Sequence, residues 1–142
     1  MGSGLALGCD TVVHQGCVAA GGVGVAVLAH GLDQIQPPSN RGLADELLEN
    51  GGCLVSEYRI GEENQRYNYV QRDRLQSGLS DAILVIETGE KGGTWHTVGF
   101  CQEQGRALGC LEFSDPGHQE LDSYKGNRKL LSEEGAVVIR GE

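Results

Sequence analysis

The sequence predicts an α/β domain built on a mostly parallel sheet with helices on both faces. Three observations predict it. Short apolar runs of strand length, VGVAVLA (23–29), CLVSEY (53–58), AILVIE (82–87), ALGCLEF (107–113) and AVVI (136–139), show no clean polar alternation, as strands buried on both faces do. Stretches of helical pattern separate them, and such alternation gives parallel strands joined by right-handed crossovers. Twenty-three glycines, spaced between apolar runs and without a fixed repeat, mark tight turns. With 142 residues and no linker or internal repeat, the chain reads as one domain, 1–142, with one modest core.

The elements follow in order. The opening MGSGLALGCD holds a glycine-rich turn with no strand before it, and Asp10 is placed to cap a helix running to about Ala20, ended by Gly21-Gly22. After the run 23–29 comes a loop, GLDQIQPPSN (31–40), stiffened by Pro37-Pro38. RGLADELLEN (41–50) reads as an amphipathic helix with Leu43, Leu47 and Leu48 on one side. RIGEENQRYN (59–68) is polar and loop-like, and a helix is predicted over 69–77. AILVIE leads into the turn TGEKGG (88–93), where Thr94 is placed to cap a helix ending near Gly105. SDPGHQELDSY (114–124) reads as a loop. Asn127 is the expected cap of a short helix to Glu134, before the last strand.

Composition excludes several classes. The longest apolar run, about 23–29, is too short to span a bilayer, and no signal peptide is recognisable, so a cytoplasmic protein without membrane association is expected. The five cysteines are odd in number and form no CxxC, which favours reduced thiols. Cys9, His14 and Cys17 lack a fourth convergent ligand for zinc, so no metal is expected. No GxSxG or HExxH pattern occurs, and the four histidines are scattered. The net charge of −9 argues against a general affinity for nucleic acid.

Three loops fall at the carboxyl ends of predicted strands, where open α/β sheets bind ligands. They are Ser3–Asp10, Ser56–Arg74 and Glu87–Thr97. SGLALGCD (3–10) and ETGEKGGTWHT (87–97) share one design, a glycine turn leading into a helix, which lets backbone N–H groups approach an anion. Two such turns on one sheet edge would face each other across a nucleotide or polyanion pocket. In QRYNYVQRDRLQSG (65–78), Arg66, Arg72 and Arg74 form the densest basic cluster of an acidic chain. Tyr67 and Tyr69 are interleaved with them; arginine pairs with phosphate, and tyrosine offers a face for a base to stack on.

In this order the motifs SGLALGCDTVVHQG (3–16), GLDQIQPPSNRGLADEL (31–47), LVSEY (54–58), the long stretch from Asn68 to Cys110 and GNRKLLSEEGAVVI (126–139) resemble the DNA-processing protein A family (DprA, also called Smf). The resemblance spans nearly the whole chain, and the Asp10–His14 pair and RDRLQSGLSDA (72–82) are its most telling parts. It implies a Rossmann-like fold, binding of single-stranded DNA, loading of a RecA-type recombinase during natural transformation, a homodimer, no catalysis and no cofactor. By motif, Ser3, Gly4 and Gly8 would line a pocket, Arg72 and Arg74 would contact phosphates, and Gly93 and Thr94 would form the opposing turn. Lys91 would add a phosphate contact. Asp10 and His14 would fix the first helix against its loop.

The chain departs from the family pattern in three ways. In the family a strand precedes SGLA, and an earlier strand carries a glycine-serine-arginine phosphate turn. Neither is recognisable here, so an N-terminally truncated sheet with an open gap is expected. The C-terminal winged-helix domain common in the family is not expected within these residues either. The acidic background, including Asp45, Glu46, Glu49, Glu62 and Glu63, works against a basic groove. Two alternatives follow from the same fold. One is a stand-alone nucleotide or small-molecule sensor. The other is a phosphoribohydrolase splitting nucleoside monophosphates. The enzyme is disfavoured because Lys91 stands where its proline-glycine-glycine turn needs proline, and Glu103 lies too far along the helix.

Overall fold

The computed structural model describes residues 1–140. Its elements run β1 (Gly2–Ser3), α1 (Cys9–Ala19), β2 (Val25–Val27), α2 (Arg41–Glu49), β3 (Cys53–Val55), α3 (Arg66–Gly78), β4 (Ala82–Val85), α4 (Thr94–Glu103), β5 (Ala107–Glu112), α5 (Pro116–Gln119), α6 (Lys125–Ser132) and β6 (Val137–Arg140), with 3-10 turns at Pro38–Asn40 and Asp122–Tyr124. Every strand pair is parallel, as the buried apolar runs predict. The α/β Rossmann-like class is therefore as expected, but the strands form two three-stranded sheets, ordered β1-β2-β3 and β4-β5-β6. The chain divides into two compact units, Met1–Gln76 and the part from Ser77 onward. Among the described residues β1 pairs only with β2, and β4 only with β5. The opening residues do contain a strand, contrary to expectation, though it is only two residues long.

In the first unit, β2 is central, with Ala26 opposite Leu54 of β3 and Ser3 of β1. Leu5, Ala26, Leu28, Leu43, Ala44 and Leu47 make its core. The predicted leucine stripe of α2 is narrower than expected. Leu43 and Leu47 are buried four residues apart, whereas Leu48 is 47% exposed, because a step of one residue turns a side chain about 100° away from the core face. Helix α3 starts at Arg66, three residues before the predicted start, and so takes Arg66 and Tyr67 out of the loop.

In the second unit, β5 is central and Val85, Val98, Cys101, Leu108, Cys110, Leu130 and Ala136 form the core. Asn127 does not cap α6; it lies inside that helix and is fully buried. Its side-chain amide donates to the carbonyls of Ile86 (2.8 Å) and Leu111 (3.0 Å), and its oxygen accepts from the Thr88 N–H (2.7 Å). One side chain thus satisfies backbone groups left over where β4 and β5 end. Gly126 lets α6 come this close, since a Cβ there would collide with the carbonyls of Thr88 and Gly89.

Candidate nucleic-acid interface

The Ser3–Asp10 turn sits at the carboxyl end of β1. Asp10 does not cap α1 in the predicted way; it lies in the helix's first turn, and Gly8 is the N-cap. Its carboxylate reaches back and accepts from the Ser3 hydroxyl (2.5 Å), the Gly4 N–H (3.0 Å) and the Ala6 N–H (3.2 Å). The turn that resembles a phosphate cradle therefore already holds an anion of its own. Between Gly4 and Ala6, Leu5 is the one non-glycine residue with positive φ among those described (60°), and its side chain is fully buried. Asn40 donates to the Leu5 carbonyl (2.9 Å) and to Thr11 Oγ1 (2.9 Å). An unfavourable backbone conformation persists where surrounding contacts over-determine it, as here.

Helix α3 grips the same turn from the other side. Arg72 is 7% exposed. One terminal guanidinium nitrogen donates to the carbonyls of Gly4 (3.2 Å) and Val27 (2.6 Å), and Nε donates to Asp73 (3.2 Å). With its amide oriented to suit both neighbours, Gln76 accepts from the Gly4 N–H (2.7 Å) and donates to Asp73 (3.3 Å). Arg72, expected to contact phosphate, has its guanidinium buried and engaged with the ends of β1 and β2.

The remaining residues of this basic segment are accessible. Arg66 is exposed, Tyr67 is 67% exposed and Tyr69 39%. The Tyr69 hydroxyl accepts from Asn64, and the Arg72 guanidinium carbon lies 5.9 Å from the Tyr69 ring centroid. Arg74 is half-exposed and forks onto Glu57, at 2.5 and 2.6 Å. Acidic groups shape this neighbourhood: burial first, then Glu57 and Glu62, push the Tyr58 phenol above its ordinary value of 10. The segment is therefore a mixed surface rather than a basic groove.

In the second unit, Lys91, Gly92 and Gly93 are exposed, and Thr94 begins α4 without a side-chain capping bond. The turn is closed from below by Trp95, whose indole N–H donates to the Gly89 carbonyl (2.8 Å), and Lys129 stands 5.2 Å from the Trp95 ring. Ser3 is half-buried, Gly4 buried and Gly8 exposed. Among the described residues no cluster of histidine, cysteine and acid could hold a metal, and no helix is long and apolar enough to cross a membrane.

Comparison with known proteins matches these elements throughout. The family model described as DNA recombination-mediator protein A covers residues 2–142.

The chain belongs to this family.

It is 38% identical to Protein Smf of Escherichia coli K12, over 96% of this chain and 35% of that protein. It is 33% identical to the DNA processing protein DprA of Streptococcus pneumoniae, over 96% of this chain and 46% of that one. The X-ray structure of DprA from Streptococcus pneumoniae superposes with a TM-score of 0.82 at 30% identity, covering 97% of this chain and 47% of the other. A Helicobacter pylori DprA structure, described for its single-stranded DNA binding mode, gives 0.84 at 25% identity, over 97% and 60%. The chain thus spans about a third to just under half the length of these curated relatives.

Sequence reasoning missed Asn40 and Gln76, because a lone amide carries no signal until its partner is known. It also missed the pairing of Arg74 with Glu57, seventeen residues away. The Asp10 carboxylate was legible as a fixing group, and its three bonds give it that role.

Proposed function

We propose that this chain binds single-stranded DNA as a non-catalytic module and, like the wider DNA-processing family, serves recombinase loading during natural transformation as a homodimer. The observation that carries the reading is the start of α3, where Arg66, Tyr67 and Tyr69 are all exposed. A guanidinium pairs with phosphate and a phenol ring stacks on a base of any identity. Arg74 joins this face once a phosphate competes with Glu57. Lys91, Gly93 and Thr94 offer a cation and a helix start in the second unit, and Ser3, Gly4 and Gly8 support the contact surface indirectly, since their turn is occupied by Asp10.

Fluorescence anisotropy of a labelled single-stranded oligonucleotide at several salt concentrations tests the reading. Binding with a clear salt slope is expected, and Arg66→Ala should lower affinity and flatten the slope by about one phosphate contact. Absence of binding at low salt would remove the proposal. In that case the nucleotide-sensor reading predicts that mononucleotides raise the melting temperature at least as much as oligonucleotides do.

A further inference from the structure

We infer that Arg72 is a positioning residue for single-stranded DNA, an inference that rests on the function proposed above: it clamps α3 to the strand ends and thereby fixes where Arg66, Tyr69 and Arg74 stand.

Four observations converge on it. The guanidinium is buried and bonds two carbonyls from two different strands' ends, Gly4 after β1 and Val27 at the end of β2. Asp73, itself 8% exposed, accepts from Nε, so the charge is balanced in place. Gly4 has no side chain for a specific reason: a Cβ there would fall on the Arg72 guanidinium. One turn along α3, Gln76 shares the Gly4 N–H with Asp10, so both backbone groups of Gly4 are engaged from this helix.

The geometry suits arginine and not lysine. A planar guanidinium can address two carbonyls and a carboxylate at fixed angles, whereas an ammonium is a point charge on a flexible stem. A buried cation bonded to neutral carbonyls is costly unless each donor is placed. Its cost is justified when it defines a geometry. Arg66 and Tyr69 lie six and three residues before Arg72 on the same helix, and Arg74 two after it. Loss of the clamp lets the helix slide or rotate, and the presented groups move with it.

Two measurements on the whole chain separate the outcomes. In the first, Arg72→Gln, which removes the charge, is titrated with the labelled oligonucleotide. The expected result is an affinity loss of about tenfold with the salt slope unchanged, because the count of phosphate contacts stays the same. A slope lower by about one unit would make Arg72 a phosphate contact and overturn the inference. Unchanged affinity in a folded variant would overturn it too. The second measurement needs neither mutation nor DNA: the Arg72 guanidinium N–H signals of the unaltered protein are followed by NMR. Slow solvent exchange, unaffected by added oligonucleotide, is expected. Fast exchange would show an open side chain and refute the clamp even if the variant does not fold. If the unaltered protein binds no DNA while these signals stay protected, the functional reading fails and the clamp itself stands.

Discussion

His14 shows how a single side chain can tie stability to pH. It is fully buried on α1, and neither ring nitrogen has a partner among the described residues. Burial pushes its pKa below the ordinary 6.5, with the Asp10 carboxylate, and then the nearby Ser3 backbone, pulling the other way. The folded protein therefore resists a proton that the unfolded chain accepts. The consequence has a definite sign: stability is full above 6.5 and declines as pH falls from there through the native pKa. Urea unfolding at a series of pH values should show this decline, and His14→Leu should remove it. A decline of the same size in the variant would place the proton uptake elsewhere.

At the level of elements, Asn127 ties α6 to the backbone at the ends of β4 and β5. Asn127→Ala leaves the Thr88 N–H and the carbonyls of Ile86 and Leu111 without their partner in a buried setting. A loss of about 2–3 kcal/mol is expected by chemical denaturation, several times what a surface change costs. Asn127→Asp keeps the acceptor but loses both donor bonds and should be no better. The sequence shows an asparagine near a helix start, and capping is the ordinary use of that residue. What redirects it is the packing of α6 against β5, which a linear reading does not contain. The same holds for α3, whose early start at Arg66 is hidden by a polar run without apolar periodicity. Strands fared better, since AILV and ALGCLE are dense in apolar residues and were placed within a few positions.

Across the whole molecule, the five cysteines report on both units. Cys9 and Cys53 are exposed, Cys17 is half-buried, and Cys101 and Cys110 are buried in the second core. Burial also raises both inner thiols, that of Cys110 to about 11, so they hold little reactive thiolate at neutral pH. A thiol reagent followed by mass spectrometry should modify Cys9 and Cys53 first and Cys101 and Cys110 only when the second unit opens. Labelling of Cys110 as fast as Cys9 would contradict the packing described. The class of fold was legible throughout, because parallel strands announce themselves as apolar runs. The division into two sheets was less so, since strand neighbours depend on which edges meet and not on any one segment. The basic segment was legible as a cluster, but a cluster does not say which arginine faces inward. Arg72 and Arg74 read alike in the chain; one ends against carbonyls and the other on the surface.

The carboxylate of Asp10 also bears on what the first turn can bind. Three donors, the Ser3 hydroxyl and the N–H groups of Gly4 and Ala6, converge on one tethered acid. A tether makes its local concentration far higher than that of any free anion in a cell. The turn is thus a receptor supplied with its own tethered ligand, with which an outside phosphate would have to compete. Exchanging Asp10 for alanine would turn structural glue into vacant binding capacity, and small carboxylates from the buffer would then compete for a place that the chain had reserved for itself.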